Sequence, residues 1–366
     1  MANLFFRTNI APYRIDTYNA LHKMLNCELY FYWKRETSQN LNMEVMLQKC
    51  DFVPHYLKGI NLGTTSRKFC TEVWHILSRN NPAIVIVPEF QILTIQVLLY
   101  KFLFRKKFKV VSMCDDSYDM LNSDNDFSFV HKYARKLLAP LVDEILLVDN
   151  KAVDWYQSNY GKGIWLPIVR DEKKERPLYE QTLPISRKLV RQFSLEGKKV
   201  LLYVGRLVEI KNISNLISAI AKTQEDFTTV IVGDGVDKER FLQEAAHVNK
   251  PIIFAGHFED QDIRAWYNIA DVFILPSYKE PFGAVTNEAL LAGCYSLISE
   301  KAGSACLIKN GINGETFIPL DIDDIAKKID KAFTVQNGEK DLRLKDNRML
   351  YSFEQIITKV FNQLKS

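Results

Sequence analysis

Two pairs of charged residues in the second half have spacings that suit phosphate and sugar chemistry. Tyr203-Val204-Gly205-Arg206-Leu207 closes an apolar run, and Lys211 follows five residues after Arg206. Gly205 lets backbone and ligand approach closely. Arg206 offers a planar fork and Lys211 a mobile point charge, a combination that suits a diphosphate. A solvated basic turn is the plainer reading. The second pair is Glu280 and Glu288, within Pro276-Ser277-Tyr278-Lys279-Glu280-Pro281-Phe282-Gly283-Ala284-Val285-Thr286-Asn287-Glu288-Ala289. A helix opening around Gly283 would aim its first amides at phosphate oxygens. Glu280 precedes it, at the mouth, where sugar hydroxyls could be held. Glu288 would lie within the helix and could accept two hydrogen bonds from the vicinal diol of a ribose. The plainer reading is a helix-terminal acid plus a solvated glutamate. Gly233-Asp234-Gly235 permits a tight turn beside a nucleotide, although Asp-Gly turns are common. His257, after Ala255-Gly256, stands at another strand end, either lining a nucleoside pocket or as an ordinary surface histidine.

These residues need strand ends to hold them. Short apolar runs at 2–8, 27–33, 83–87, 108–113, 144–148 and 163–166 read as strands. Between them, 13–25, 64–80, 90–104, 127–141 and 151–160 read as helices. Strands alternating with helices predict an open parallel α/β sheet. The stretch 171–197 is charged, carries Pro177 and Pro184, and reads as a connecting segment. The rhythm then restarts. Strands are expected at 199–204, 228–232, 252–255, 272–275 and 295–299. Helices are expected at 212–221, 238–246, 260–268, from near Gly283, and at 322–333. The organisation is therefore a first domain over 1–170, a connection over 171–197 and a second domain over 198–350. Two tandem α/β domains imply a cleft, with ligands at the C-terminal ends of the strands.

Composition bounds the rest. At 366 residues, 47% hydrophobic and 12% aromatic, the chain suits two domains with large cores and excludes disorder. The six cysteines are widely spaced and lack a CxxC, which excludes a zinc ribbon and points to a reducing compartment. Residues 1–170 carry 21 Lys+Arg against 16 Asp+Glu, a net +5; the remainder carries 27 against 28. That is too weak for a nucleic-acid partner but suits a mildly anionic one. No apolar run reaches the roughly 20 residues that span a bilayer, and no signal peptide is legible at the start. The run at 90–104 is followed by Arg105, Lys106, Lys107 and Lys109. It reads as a core helix with a solvated basic end, or as a helix lying on an anionic membrane surface. A cytoplasmic protein, peripheral on the membrane's inner face, is the expectation.

Residues 201–220 resemble the G-R-x5-K phosphate segment of family 4 glycosyltransferases, and 271–292 resemble that family's E-x7-E signature, here Glu280 and Glu288. The order and spacing extend over about 130 residues and include IVGDG at 231–235 and AGHF at 255–258. The first domain is similar mainly in Asn9-Ile10-Ala11-Pro12-Tyr13-Arg14. The resemblance implies the GT-B fold, two Rossmann-like α/β/α domains, with the terminal helix near 352–364 packing back on the first. It implies a retaining transfer of a hexose or N-acetylhexosamine from a nucleotide diphosphate sugar, uridine diphosphate favoured. The implied acceptor is a glycan or lipid-linked saccharide of a bacterial polysaccharide or lipopolysaccharide pathway. Arg206 and Lys211 would hold the diphosphate, Glu280 the donor sugar and Glu288 the ribose. The backbone of Phe282, Gly283, Ala284 and Val285 would surround sugar and phosphate, with Thr286 a further donor. Gly205, Gly233 and His257 complete the implied nucleotide-sugar site. No metal or other cofactor is implied; Asp124-Asn125-Asp126 is an Asp-x-Asp pattern by letter only.

The sequence departs from the pattern in three places. Lys211-Asn212 stands where many members have Lys-Gly. Asn9-Ile10-Ala11-Pro12 stands where many have a glycine-rich loop. Met113-Cys114-Asp115-Asp116 stands where many place a histidine, so Asp115 and Asp116 are the expected contacts on the sugar or acceptor side. A nicotinamide dehydrogenase is disfavoured, because the loop at 9–14 has no glycine. A sugar-nucleotide epimerase and a non-enzymatic carbohydrate-binding protein are the alternatives.

Overall fold

The computed structural model describes residues 2–33, 43–61, 68–122, 128–335 and 342–365. Two compact units emerge: 2–169 with 354–365, and 170–353. Asp124-Asn125-Asp126 lies outside the described residues.

In the first unit, strands β1 (Asn3–Arg7), β2 (Cys27–Phe31), β3 (His55–Tyr56), β6 (Ile84–Pro88), β7 (Lys109–Cys114), β8 (Glu144–Leu147) and β9 (Ile164–Trp165) form one parallel sheet. Their order is β3-β2-β1-β6-β7-β8-β9. A small antiparallel pair, β4 (Gly59–Asn61) and β5 (Lys68–Cys70), stands apart from it. The helices are α1 (Ile15–Leu25), α2 (Met43–Gln48), α3 (Val73–Asn80), α4 (Ile92–Leu103), α5 (Tyr118–Asn122), α6 (Phe129–Leu138) and α7 (Asn150–Tyr160). From β6 onward each strand is added on the same side, so right-handed crossovers put α4, α6 and α7 on one face. Leu93 and Val97 of α4, Leu138 of α6 and Tyr156 of α7 accordingly share one apolar core.

The second unit has a six-stranded parallel sheet. Its strands are β10 (Val200–Val204), β11 (Thr228–Val232), β12 (Ile252–Gly256), β13 (Val272–Leu275), β14 (Tyr295–Ser299) and β15 (Gly314–Phe317), in the order β12-β11-β10-β13-β14-β15. Helices α8 (Glu172–Gln181), α9 (Leu183–Gln192), α10 (Ile213–Lys222), α11 (Lys238–Ala245), α12 (Asp260–Ile269), α13 (Val285–Leu291) and α14 (Ile322–Val335) flank it. Strands β10, β11, β13 and β14 are buried along their whole length, which is why β10 and β13 read as unbroken apolar runs and β11 and β14 admit only small hydroxyl residues among theirs. Helix α15 (Phe353–Lys365) closes the chain. Within the first unit, Lys109 Nζ donates to the Leu364 carbonyl at 3.3 Å.

Several elements differ from the sequence expectation. The helix expected over 64–80 starts only at Val73; Lys68-Phe69-Cys70 alternates buried, exposed, buried and pairs as a strand. The connecting segment at 171–197 is two helices built into the second unit. Pro184 sits in the first turn of α9, where a missing amide hydrogen costs nothing. Pro177 lies within α8 without ending it. Asn268 Nδ2 ties these helices to α12, donating to the Tyr179 carbonyl at 2.7 Å and to Thr182 Oγ1 at 3.1 Å. The second unit thus begins at 170 rather than 198. Finally, α2, β3, β4, α5 and β15 were not foreseen.

Candidate active site

In the second sheet the strand order reverses between β10 and β13, the position where an open parallel sheet leaves a crevice at its C-terminal edge. Gly205 follows β10, Gly233 follows β11, and the loop carrying Glu280 follows β13. The glycines are there because the chains touch. A Cβ on Gly233 would lie 1.9 Å from the Gly205 carbonyl oxygen, and one on Gly205 would lie 2.7 Å from the Tyr203 hydroxyl. That hydroxyl donates to the Arg206 carbonyl at 3.0 Å and fixes the turn.

Lys211 and Glu280, 69 residues apart in the chain, meet here. Lys211 Nζ donates to Glu280 Oε2, and only 13% of either side chain is exposed. Asn212 explains how Lys211 is aimed. It adopts the left-handed conformation, φ 59°, where the resembling family often has glycine. Asparagine tolerates that region, and its Nδ2 donates to the Pro276 and Pro319 carbonyls at 3.1 and 2.6 Å. Arg206 is exposed beside this pair and forms no ion pair among the described residues. Gly283, φ 90°, packs against Glu280: a Cβ there would come within 3.2 Å of Glu280 Cγ and 2.6 Å of Leu275 Cδ2. Ala284 caps α13, Val285 opens it, and Phe282 is buried beneath.

The remaining expected residues are placed differently. Thr286 is fully buried, and its hydroxyl bonds to Ser304 Oγ at 2.8 Å, so it is a packing residue of α13. Glu288 accepts from the Tyr267 hydroxyl at 3.1 Å. Burial raises its carboxyl above the ordinary range, against the pull of Arg170. His257, just after β12, is exposed and pairs with the exposed Glu259 at 3.0 Å.

Among the comparisons with known proteins, the family match falls within this unit. Residues 186–348 match the family model described as glycosyl transferases group 1. An uncharacterized glycosyltransferase, MJ1607 of Methanocaldococcus jannaschii, is 32% identical over 183 residues, 46% of this chain and 45% of that protein. A lipopolysaccharide 1,2-N-acetylglucosaminetransferase of Salmonella typhimurium is 29% identical over 189 residues, 47% of this chain and 49% of that one. The chain therefore spans about half the length of the curated relatives it matches. Among solved structures, Anabaena Alr3699/HepE in complex with UDP superposes with a TM-score of 0.73 at 17% identity, over 100% of both chains. The fold is GT-B.

In the GT-B first unit, the C-terminal sheet edge carries a charge cluster that sequence reasoning met only in part. Asp115 follows β7 and is held by Arg7 and by Arg14, the latter at 2.6 Å and fully buried. Burial alone would raise the Asp115 carboxyl, but the two guanidiniums outweigh it and hold it below its usual value. Asp115 is thus held in two ion pairs at this strand end. Asp116 differs. Burial and the neighbouring Glu89 push its carboxyl up to about 8, with Arg135 opposing. Its Oδ2 makes no hydrogen bond among the described residues. His131 of α6 brings Nε2 to 4.0 Å from that oxygen, so an imidazole does reach this strand end, from another element. Glu89, Asp116 and His131 offer ligand atoms within 4.8 Å of one another. Arg7 acts on both carboxylates and Arg135 on Asp116, yet burial and repulsion among the carboxylates still hold both carboxyls above their ordinary values. Arg7, Glu89, His131 and Arg135 were missed because nothing in their local sequence marks them, and Arg14 was met only as the end of the Asn9–Arg14 segment, without its partner. In the second unit, Glu175 was missed likewise: it binds Arg170, and Arg264 at 3.1 Å, beside Glu288.

Proposed function

We propose that the protein is a retaining glycosyltransferase that takes its sugar from a nucleoside diphosphate, uridine diphosphate favoured. The observation that carries this reading is the meeting of Lys211 and Glu280 at the β10/β13 strand reversal, beside Arg206, inside the segment matched by the glycosyl transferase family model. The UDP complex of the Anabaena structural neighbour supports the choice of donor.

Departure of a nucleoside diphosphate develops negative charge. Arg206 and Lys211 hold the diphosphate and stabilise that charge in the transition state. Lys211 exchanges part of its bond with Glu280 for phosphate oxygens, which frees the Glu280 carboxylate to accept hydrogen bonds from the donor sugar. The backbone of 282–285 lines the sugar and phosphate, and Glu288 holds the ribose. Attack on the same face, with the leaving phosphate taking the acceptor's proton, retains the anomeric configuration and requires no metal. The acceptor is a glycan or lipid-linked saccharide. The Salmonella relative's lipopolysaccharide transfer supports an envelope-polysaccharide role.

The test is turnover of UDP-sugars and GDP-sugars with and without saccharide acceptors. Arg206→Ala is expected to lower turnover more than donor binding, and Glu288→Ala to weaken donor binding. Unchanged rate and affinity in both variants would refute the site.

A further inference from the structure

We propose that the outer face of helices α4 and α6 is a docking surface for an anionic lipid bilayer. Residues 129, 130, 133 and 137 of α6 fall within one quadrant at helical spacing. Phe129, Val130, Tyr133 and Leu137 there are all exposed, Phe129 to 83%. His131, Arg135 and Leu138 fall on the opposite side and face inward, towards Asp116 and the core. The helix is amphipathic in the inverted sense: its buried side carries the polar groups and its exposed side the apolar ones. Helix α4 repeats the anomaly on the same face of the sheet. Its Leu99, Phe102 and Leu103 are exposed, Leu103 to 64%, and Phe104 follows them.

Isolated exposed apolar residues are ordinary, but two neighbouring helices presenting rows of them mark an interaction surface. Charge selects the occupant. Residues 92–109 and 128–141 contain no acid; Arg105, Lys106 and Lys107 follow α4, and Lys132 and Lys136 lie on α6, while Lys101 is paired with Asp143 and Arg135 faces inward. The chain as a whole has 48 basic and 44 acidic side chains, so these acid-free stretches are local enrichments. Aromatic and aliphatic side chains flanked by lysine and arginine suit the boundary between anionic headgroups and acyl chains. No helix among the described residues is long and apolar enough to cross a membrane, so the contact is one of lying on the surface. The basic end at 105–109 is thereby one edge of a larger patch. This docking is argued from the surface alone and holds whether or not the donor assignment does.

The experiment is co-sedimentation of the full chain with phosphatidylcholine vesicles, with and without phosphatidylglycerol, at low and high salt. Two double variants at exposed positions accompany it: Leu103→Ser with Phe129→Ser, and Lys107→Glu with Lys136→Glu. Binding to the anionic vesicles alone is expected, weakening with salt. Loss of two lysines alone lowers the partition coefficient roughly 25-fold, at about fivefold for each basic residue near an anionic surface. The serine pair is expected to weaken binding at both salt concentrations. Far-ultraviolet circular dichroism and thermal unfolding, measured alongside, stay unchanged in both variants and certify their fold. Three results would each overturn the proposal. One is no sedimentation with anionic vesicles at low salt. Another is binding that neither variant reduces. The third is a solution dimer that the serine pair dissociates, which would make the face a protein interface.

Discussion

The contact between Gly205 and Gly233 offers a sharp test of how the second unit is framed. Replacing Gly233 with alanine puts a methyl group 1.9 Å from the Gly205 carbonyl oxygen. Non-bonded heavy atoms settle near 3.5 Å, so the two strand ends must part by about 1.5 Å. Neither end is free to move. Gly205 N–H donates to the Val232 carbonyl at 3.0 Å, and Gly233 N–H to the Gly256 carbonyl at 2.8 Å. Losing one of these bonds costs about 1 kcal/mol. Holding alanine at φ 145° costs a further ~1–3 kcal/mol. The expected destabilisation is therefore about 2–4 kcal/mol, and Arg206 is displaced with the Gly205 turn. Gly256 supplies the control. Its φ is also positive, 90°, but a Cβ there meets nothing within 4 Å, so Gly256→Ala carries the strain without the clash. Hydrogen exchange read on peptides covering β10 and β11 separates the two variants without assuming that the whole chain unfolds at once. Gly233→Ala is expected to speed exchange there more than Gly256→Ala and to weaken UDP binding by tenfold or more. Equal effects would refute the claim that close backbone approach fixes this edge.

Other expectations concern the first unit and its ion pairs. Arg14→Met leaves Asp115 with Arg7 alone and should destabilise the unit by about 3 kcal/mol, the scale for one lost partner of a buried pair; adding Asp115→Asn should recover part of it in urea denaturation. Asp115 lies below its usual value, so its contribution is present above the unfolded value and is lost as pH falls through the folded one. The wild-type unit should therefore lose that contribution in acid, and the double variant should lack the loss. Asp116 has the opposite sign. Its folded value near 8 exceeds the unfolded one, so stability falls as pH rises between them. Asp116→Asn should flatten that fall between about pH 4 and pH 8 in thermal unfolding.

Much of the donor side was legible because its signals are local. The fully buried strands read as apolar runs, and Gly205, Lys211, Glu280 and Gly283 lie within short stretches whose spacing survives in the sequence. The missed features depend on long-range pairing. Arg14 and Asp115 are 101 residues apart, and only the folded sheet edge joins them. Strand β15 carries Glu315, which looks like a loop residue. It is buried because Lys328 and Lys331 neutralise it at 3.0 and 2.5 Å. Helices α8 and α9 were hidden by charge and by two prolines, one of them in a first turn that tolerates it. Spacing does not say where a side chain points: His257 and Thr286 both stand beside motif residues, yet one side chain is exposed and the other lies in the core.

Calorimetric titration of UDP and GDP into the wild type and Lys211→Ala tests the donor site most directly. A nucleoside diphosphate is expected to bind the wild type. The variant loses a charge-assisted bond to phosphate worth about 1.5–3 kcal/mol and leaves Glu280 without its lysine, so affinity should fall at least tenfold. Absence of binding to the wild type by either nucleotide, or equal affinity in the variant, would contradict the account.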